Sequence, residues 1–263
     1  MGNRGIYVKI ITVVSFIVML AMNIISNVLP INGMTTGEIS DSYPNLLTPA
    51  GYTFSIWALI YLLLFAFTFY QLDLFHKRKE RIKQEVLNQI RILFIVSSFS
   101  NTGWILAWHY DFMALSVMLS AIMLVCLIYI NRALSLEDLS KKEKIMIRLP
   151  FSIYYGWITV ATVANVSILL VSIRWKGFGL PESFWTIVIL VIILLITSYR
   201  TQQNKDPVYG LTIIWGYIGV LVKHISKFGL DGKYPEIIGT IIICIILLVT
   251  GEGYLYLVRK KHS

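Results

Sequence analysis

Residues 149 to 173 read LPFSIYYGWITVATVANVSILLVSI and contain no charged side chain. An α-helix of this length crosses a bilayer, because each residue rises about 1.5 Å and the hydrocarbon layer is roughly 30 Å thick. The sequence therefore predicts an all-α fold, a polytopic membrane helix bundle with eight transmembrane helices. The seven further apolar runs lie at 10–37 (apolar as far as Pro30), 51–72, 92–110, 112–131, 183–199, 207–222 and 236–258.

The composition favours a membrane protein over a soluble one. Of the 263 residues 57% are hydrophobic and 14% charged, whereas a soluble domain carries about a quarter of charged residues. The net charge of +9 comes from Lys and Arg placed between the apolar runs, so we expect no nucleic-acid partner. Cys126 and Cys244 lie inside apolar runs, and the common catalytic and metal-binding motifs are absent. We therefore predict no catalytic residue, no metal and no enzymatic activity.

The basic residues also predict how the helices are oriented. With eight spans, 18 Lys and Arg fall on the side that holds both termini and 5 on the other, and cytoplasmic loops are the basic ones. We therefore expect cytoplasmic N- and C-termini, a retained first helix rather than a cleaved signal peptide, and the plasma membrane of a bacterium. The basic segment 76–83 should contact anionic membrane lipid. Lys223 and His224 should anchor the seventh span at the opposite interface.

Three of the runs carry polar and aromatic side chains at helical spacing. Side chains three or four residues apart share a helix face. An amide that faces lipid lacks hydrogen-bond partners, so amides in spans usually face the interior of the bundle. Aromatic walls, a small residue and an amide can line a pocket for a flat apolar ligand, although the same residue types are common where helices simply pack. The residues are Trp57 and Tyr61 in the second run, Asn101 and Trp104 in the third, and Trp157, Ala161 and Asn165 in the fifth.

These positions resemble the tryptophan-rich sensory protein family, TspO/MBR, which includes the mitochondrial translocator protein. The matching elements are Pro49 followed by Trp57-x3-Tyr61, then Asn101-x2-Trp104, then Trp157-x3-Ala161-x3-Asn165. The resemblance covers about residues 5–175. It implies a five-helix membrane domain at 1–175 followed by a three-helix membrane extension at 176–263, with residues 31–50 in the place of the family's pocket-covering loop.

The resemblance also implies a binding function. Family members hold tetrapyrroles, and some hold sterols, inside the bundle, so the seven residues above become candidate ligand contacts of a sensor or carrier. No cofactor is expected to be obligatory, a tetrapyrrole is a possible ligand, and a homodimer is a possible assembly. The alternative is a secondary transporter or permease subunit for a small solute, in which Glu252 near the inner end of the eighth span, or Asn residues, couple ion movement. Glu252 is equally well explained as an interfacial carboxylate paired with Arg259 or Lys260.

Overall fold

The structure is a computed structural model that describes residues 3–29, 31–72 and 82–261, with side chains from 5 to 253 within those ranges. The described residues form helices and loops without a strand, and eight helices are long and apolar enough to cross a membrane. The predicted polytopic helical bundle is confirmed. Most of the basic segment 76–83 lies outside the described residues. The spans are Gly5–Val28, Gly51–Tyr70, Gln84–His109, Met113–Ser135, Lys141–Ser172, Glu182–Asn204, Pro207–Ile225 and Pro235–Gly253.

Ten α-helices make up the described chain, and eight of them give the core of the eight spans. The helices are α1 (Asn3–Val28), α2 (Thr36–Asp41), α3 (Ile56–Tyr70), α4 (Gln84–His109), α5 (Met113–Ser135), α6 (Lys141–Glu143), α7 (Leu149–Ser172), α8 (Glu182–Asn204), α9 (Pro207–Ile225) and α10 (Pro235–Lys261). A 3-10 turn at Gly51–Ser55 precedes α3, and a π-helical turn at Lys144–Arg148 joins α6 to α7. We call residues 31–50, which include α2, the lid. The end of the bundle that holds the lid is the lid end, and the opposite end is the basic end.

The helices pack as a continuous series. Helix α4 packs between α1 and α5, α5 packs against α7, α7 packs against α9, and α8, α9 and α10 pack on one another. One hydrophobic cluster runs through the bundle and includes Phe94 of α4, Trp157 of α7, Tyr217 of α9 and Cys244 of α10. The domain boundary at residue 175 stays a prediction, but helices on both sides of it share this core.

Glycines allow α7 and α9 to approach closely. A Cβ added at Gly156 of α7 would stand 2.6 Å from the Thr212 Cβ, and one added at Gly216 of α9 would stand 2.7 Å from a methyl of Val160. Small residues at a helix contact bring backbones together and so strengthen packing inside a membrane. The seventh span is thereby fixed tightly to the fifth.

The third span begins earlier than the sequence predicted, because a buried arginine lies within it. The charge-free run started at 92, but α4 begins at Gln84 and includes Arg91, which is 1% exposed. Its Nε donates to Gln71 Oε1 at 2.9 Å and its Nη2 to the Gln71 carbonyl at 3.1 Å. A buried charge is tolerated when its donors are bonded in this way, and a test for charge-free runs cannot detect such an arrangement.

Candidate functional site

A cavity of about 460 Å³ lies at the lid end between α1, α2, α3 and α4. Its inner wall is aromatic, because Trp57, Tyr61 and Trp104 all line it. The rings of Trp57 and Tyr61 stack with centroids 5.3 Å apart and planes 14° apart, as their four-residue spacing on one helix face allows. The outer wall is the short helix α2, which together with Pro49 and Gly51 covers the cavity.

The aromatic wall is two layers deep. Behind Trp57 lies Trp157 of α7, whose ring meets Trp57 edge-on at 6.2 Å and Phe54 edge-on at 5.7 Å. Trp157 is 1% exposed. Edge-to-face pairs of this kind hold aromatic rings in fixed positions, so the flat face that Trp57 presents to the cavity is supported by the helix behind it.

Several polar atoms at this wall lack hydrogen-bond partners within the described residues. The Thr36 hydroxyl, the Tyr61 hydroxyl and the Trp104 Nε1 line the cavity, are buried, and bond to no described atom. In the layer behind, the same holds for Asn101 Nδ2 and Trp157 Nε1. A buried polar atom is normally bonded, so these atoms are free to bond a molecule held in the cavity, although unbonded atoms also occur elsewhere, as at Ser98 and Thr201.

An amide pair closes the base of the cavity. Asn23 of α1 donates from Nδ2 to Asn101 Oδ1 of α4 at 2.6 Å and to the Met19 carbonyl at 2.9 Å. Both side chains are buried, and Asn23 lines the cavity. The bond fixes which way the Asn101 amide faces, so its nitrogen remains the available donor.

The structure brings together some of the predicted site residues and not others. Trp57, Tyr61 and Trp104 line the cavity, and Trp157 and Asn101 support it from behind, as described above. Ala161 and Asn165 do not line it. Asn165 is buried further along α7, where its Oδ1 accepts a hydrogen bond from the Ser116 hydroxyl at 2.9 Å. The Asn165 Nδ2 has no partner among the described residues, but it lies away from this cavity, and ligand binding by all seven residues stays a prediction.

The sequence reasoning missed the contribution of α1 and α2 to the cavity. Asn23 and Asn27 lie four residues apart in the first apolar run, and both line the cavity. An amide in a membrane span was the signal used for Asn101, and it applies equally to these two. The α2 residues carry no such signal, because they lie in a polar loop where similar residues are ordinary.

The lid is tied to α4 and the turn after it. The Trp108 Nε1 donates to the Thr36 carbonyl at 3.1 Å, the Asn32 Nδ2 donates to the His109 carbonyl at 3.0 Å, and the Tyr43 hydroxyl donates to Asp111 Oδ1 at 3.1 Å. Partial burial, followed by the Asp111 carboxylate, raises the pKa of Tyr43 above its ordinary value. The predicted lid is thus an ordered structure held against the core.

The lid is also tied to the C-terminal helices. The Leu46 N–H donates to Glu182 Oε1 at 2.9 Å, and the Ala50 N–H donates to the Gly219 carbonyl at 3.0 Å. The Trp215 Nε1 donates to the Thr53 carbonyl at 3.0 Å. Helices α8 and α9 therefore position the segment that covers the cavity.

His224 does not act as an interface anchor, contrary to the prediction. Its side chain is 0% exposed, and its Nε2 lies 3.0 Å from the Leu46 carbonyl. A carbonyl only accepts, so Nε2 carries the proton. Its neighbour Lys223 keeps an interfacial position and lies 4.0 Å from Asp41 of the lid. The prediction for His224 was wrong because a lid contact buried it, which hydropathy does not show.

Glu252 lies at the basic end, at the opposite end of the bundle from the cavity. Its carboxylate contacts Gly210 of α9, a position where an added Cβ would also stand 3.1 Å from the Thr201 hydroxyl. The side chains of the basic residues that follow it in α10 lie outside the described range. Ion coupling through Glu252 stays a prediction. Among the described residues, no group of three or more His, Cys, Asp or Glu side chains is arranged to hold a metal ion.

Comparison with known families agrees with this architecture. The family model described as TSPO-like protein matches residues 9–254. The chain belongs to the TSPO-like protein family. In this TSPO-like protein the match runs through all eight spans and so extends beyond residues 5–175, which carry the motifs quoted above. No curated protein and no solved structure matches the chain significantly.

Proposed function

We propose that this TSPO-like protein binds a flat apolar ligand that carries hydrogen-bond acceptors, of the tetrapyrrole or sterol class, in the cavity beneath α2. The observation that carries the proposal is the coincidence of a stacked aromatic wall with orphaned polar atoms of Thr36, Tyr61 and Trp104 around the same space. The cavity volume of about 460 Å³ lies within the usual range for small-molecule sites.

A tetrapyrrole fits the chemistry of the wall better than a sterol. A tryptophan N–H can only donate, and the free nitrogen of Asn101 is also a donor. Carboxylate groups at the edge of a macrocycle would supply several acceptors, whereas a sterol supplies a single hydroxyl. The planar face of the macrocycle would lie against Trp57, where offset stacking contributes beyond simple burial.

In this proposal the protein is a sensor or carrier rather than an enzyme. We place it in the plasma membrane of a bacterium. The distribution of Lys and Arg favours an orientation with both termini in the cytoplasm. The lid end then faces outward. Ligand would enter when the lid opens and would be enclosed when the contacts of α2 and residues 45–50 re-form.

The proposal is tested by titrating the purified full chain with protoporphyrin and following tryptophan fluorescence. Trp57→Leu removes the wall and should weaken binding at least tenfold, since an aromatic truncation at a buried contact costs about 2 kcal/mol or more. Trp175→Leu is the matched control, because Trp175 lies outside this cavity. Equal affinities of the two variants would contradict the proposal, as would unaltered binding after Trp157→Ala combined with Asn101→Ala.

A further inference from the structure

A second apolar space crosses the bundle between α7 and α8. Helix α8 packs on α9 and α10 and only lightly on α5, so it leaves a cleft beside α7. One cavity of about 520 Å³ occupies the lid-end half of the cleft, and one of about 560 Å³ occupies the basic-end half. Ile189 and Ile192 line both, so the two cavities adjoin at these side chains. From Trp185 to Arg200 the cleft follows α8 for about 22 Å at 1.5 Å per residue.

The cleft opens sideways toward the hydrocarbon layer. Ile192 and Ile196, which line it, are 48% and 45% exposed. Its walls are aliphatic along most of their length, with Val163 and Val166 of α7 opposite the isoleucines of α8. A channel of this shape, open to the membrane, suits a hydrocarbon chain that lies parallel to the helices.

The basic end of the cleft carries a cation, Arg200, that has no acidic partner among the described residues. Arg200 lines the cleft, and among the described residues its single hydrogen bond runs from Nη1 to the neutral Gln203 Oε1 at 3.2 Å. Two carboxylates lie at this end of the bundle: Asp206 is engaged by the Ser152 hydroxyl, and Glu252 contacts Gly210 of α9. Tyr199, which is exposed, lies at the same level, and exposed aromatic residues there mark the boundary between hydrocarbon and headgroups.

We propose that this cleft binds a phospholipid with an anionic headgroup, drawn from the leaflet at the basic end of the bundle. The phosphate would accept hydrogen bonds from the Arg200 guanidinium, whose planar fork suits phosphate oxygens. An acyl chain would extend past Val163 and Ile192 toward the middle of the bilayer. The site is separate from the cavity beneath α2 and does not depend on the function proposed for that cavity.

Native mass spectrometry of the full chain tests the proposal. The detergent-solubilised protein is offered equal amounts of palmitoyl-oleoyl phosphatidylglycerol and phosphatidylcholine, which share acyl chains and differ in headgroup charge. The wild type should retain the anionic lipid about fivefold over the zwitterionic one, the effect expected of one basic residue at a membrane surface. Arg200→Gln should bring the ratio to about one. Arg132→Gln, an exposed basic residue at the same end, should leave it at about five.

A second pair of variants tests the position of the acyl chain. Ile192→Trp fills the cleft where its two halves meet and should lower retention of both lipids severalfold. Leu195→Trp adds the same bulk on a face of α8 that does not line the cleft, and it should have no effect. Equal retention of both lipids by the wild type would overturn the proposal, and so would equal ratios for Arg200→Gln and Arg132→Gln. A lipid-free dimer that Ile192→Trp dissociates would assign the cleft to a second copy and would also overturn it.

Discussion

Within the described residues, three unbonded polar atoms, those of Thr36, Tyr61 and Trp104, line the cavity beneath α2, whereas atoms of the same kind elsewhere, as at Ser98 and Thr201, do not line it. At most helix contacts of this protein the buried hydroxyls bond to a carbonyl of their own helix, as Thr68 does to Leu64 at 2.8 Å and Thr197 to Ile193 at 2.7 Å. The Tyr61 hydroxyl has no such partner within the described chain. A buried polar group left unbonded costs about 1–3 kcal/mol, so its presence beside a cavity favours a role in binding.

Replacing Tyr61 with Phe should have opposite effects on stability and on binding. The variant removes an unbonded hydroxyl, so the thermal midpoint of the ligand-free protein should stay equal or rise. Porphyrin affinity should fall about two- to tenfold, which corresponds to one hydrogen bond of about 0.5–1.5 kcal/mol. Thermal unfolding and fluorescence titration in the same detergent measure the two effects.

The control for Tyr61 is Tyr129→Phe, an exposed tyrosine of α5. Tyr129→Phe should change neither the thermal midpoint nor the porphyrin affinity. A loss of stability in Tyr61→Phe would show that its hydroxyl has a structural partner, and unchanged affinity would remove Tyr61 from the site.

At this scale the sequence predicted the aromatic wall better than the amides. Trp57 and Tyr61 share a face because helical spacing requires it, whatever surrounds them. Asn101 and Asn165 look alike in sequence, but Asn101 meets Asn23 at the cavity whereas Asn165 meets Ser116 away from it. Which side an amide faces depends on where neighbouring helices stand, and periodicity within one helix does not contain that information.

Among the elements, helix α2 is stabilised at its N-terminus by a capping box. The Thr35 hydroxyl oxygen accepts a hydrogen bond from the Glu38 N–H at 3.3 Å. In return, Glu38 Oε2 accepts hydrogen bonds from the Thr35 N–H at 2.7 Å and from the Thr35 hydroxyl at 2.8 Å. Six residues are too few for a stable isolated helix. The cap and the contacts with α4 therefore decide whether the lid is formed.

Lid order should fall in acid because of Glu38. The hydrogen bonds from the Thr35 backbone and side chain lower the pKa of Glu38 below its ordinary value. The folded form thus favours the carboxylate, and the stabilisation is present above the ordinary pKa and is lost as pH falls through the lowered one. A spin label on Gly37→Cys, where an added Cβ meets no atom within 4 Å, should become more mobile as the pH falls below 4.5, the ordinary pKa of glutamate.

Glu38→Gln provides the control for the pH effect. Glutamine can still bond the Thr35 N–H but cannot ionise. In the Gly37→Cys background it should remove the change in label mobility that Glu38 produces. The same acid transition in both proteins would show that another group controls the lid.

Helix α9 packs closely against the lid and the turn before α3 at Gly219. A Cβ added at Gly219 would meet the Thr53 hydroxyl and stand 2.9 Å from the Pro49 Cβ. Gly219→Ala should therefore destabilise the protein by about 1–3 kcal/mol through overpacking, seen as a lower thermal midpoint in detergent.

The matched control for Gly219 is Gly239→Ala in α10, where an added Cβ meets nothing within 4 Å. That change should be neutral or stabilising, because alanine favours a helix over glycine. If Gly219→Ala and Gly239→Ala have the same thermal midpoint, the contact between α9 and the lid makes no measurable contribution to stability.

The elements themselves were predictable, and their ends and contacts less so. Even the short seventh span forms as Pro207–Ile225, since hydropathy reflects the requirement that backbone groups in lipid bond within a helix. The start of the third span was missed because Arg91 bonds to Gln71, and the burial of His224 was missed because a loop far away in sequence covers it. Both depend on partners that lie elsewhere in the chain.

In the whole molecule, the three C-terminal helices complete the cavity indirectly. None of their described side chains lines it, but α8 and α9 bond residues 46 and 50 of the lid and residue 53 of the turn before α3. A five-helix bundle alone would leave those backbone groups without these partners. The last three spans are thus expected to set how long the lid stays closed.

His224 offers the sharpest test of that coupling. His224→Leu leaves the Leu46 carbonyl unbonded, so amide hydrogen exchange in residues 44–50 should accelerate about tenfold and bound porphyrin should dissociate faster by a similar factor. Exchange in the interior of α4 and α7 should stay unchanged. His224→Gln places an amide donor near the same carbonyl and should restore much of both effects, which separates the bond from the simple loss of a buried ring. Faster exchange throughout the bundle would indicate general destabilisation instead, and rapid exchange at 44–50 with unaltered ligand dissociation would show that the lid does not control release.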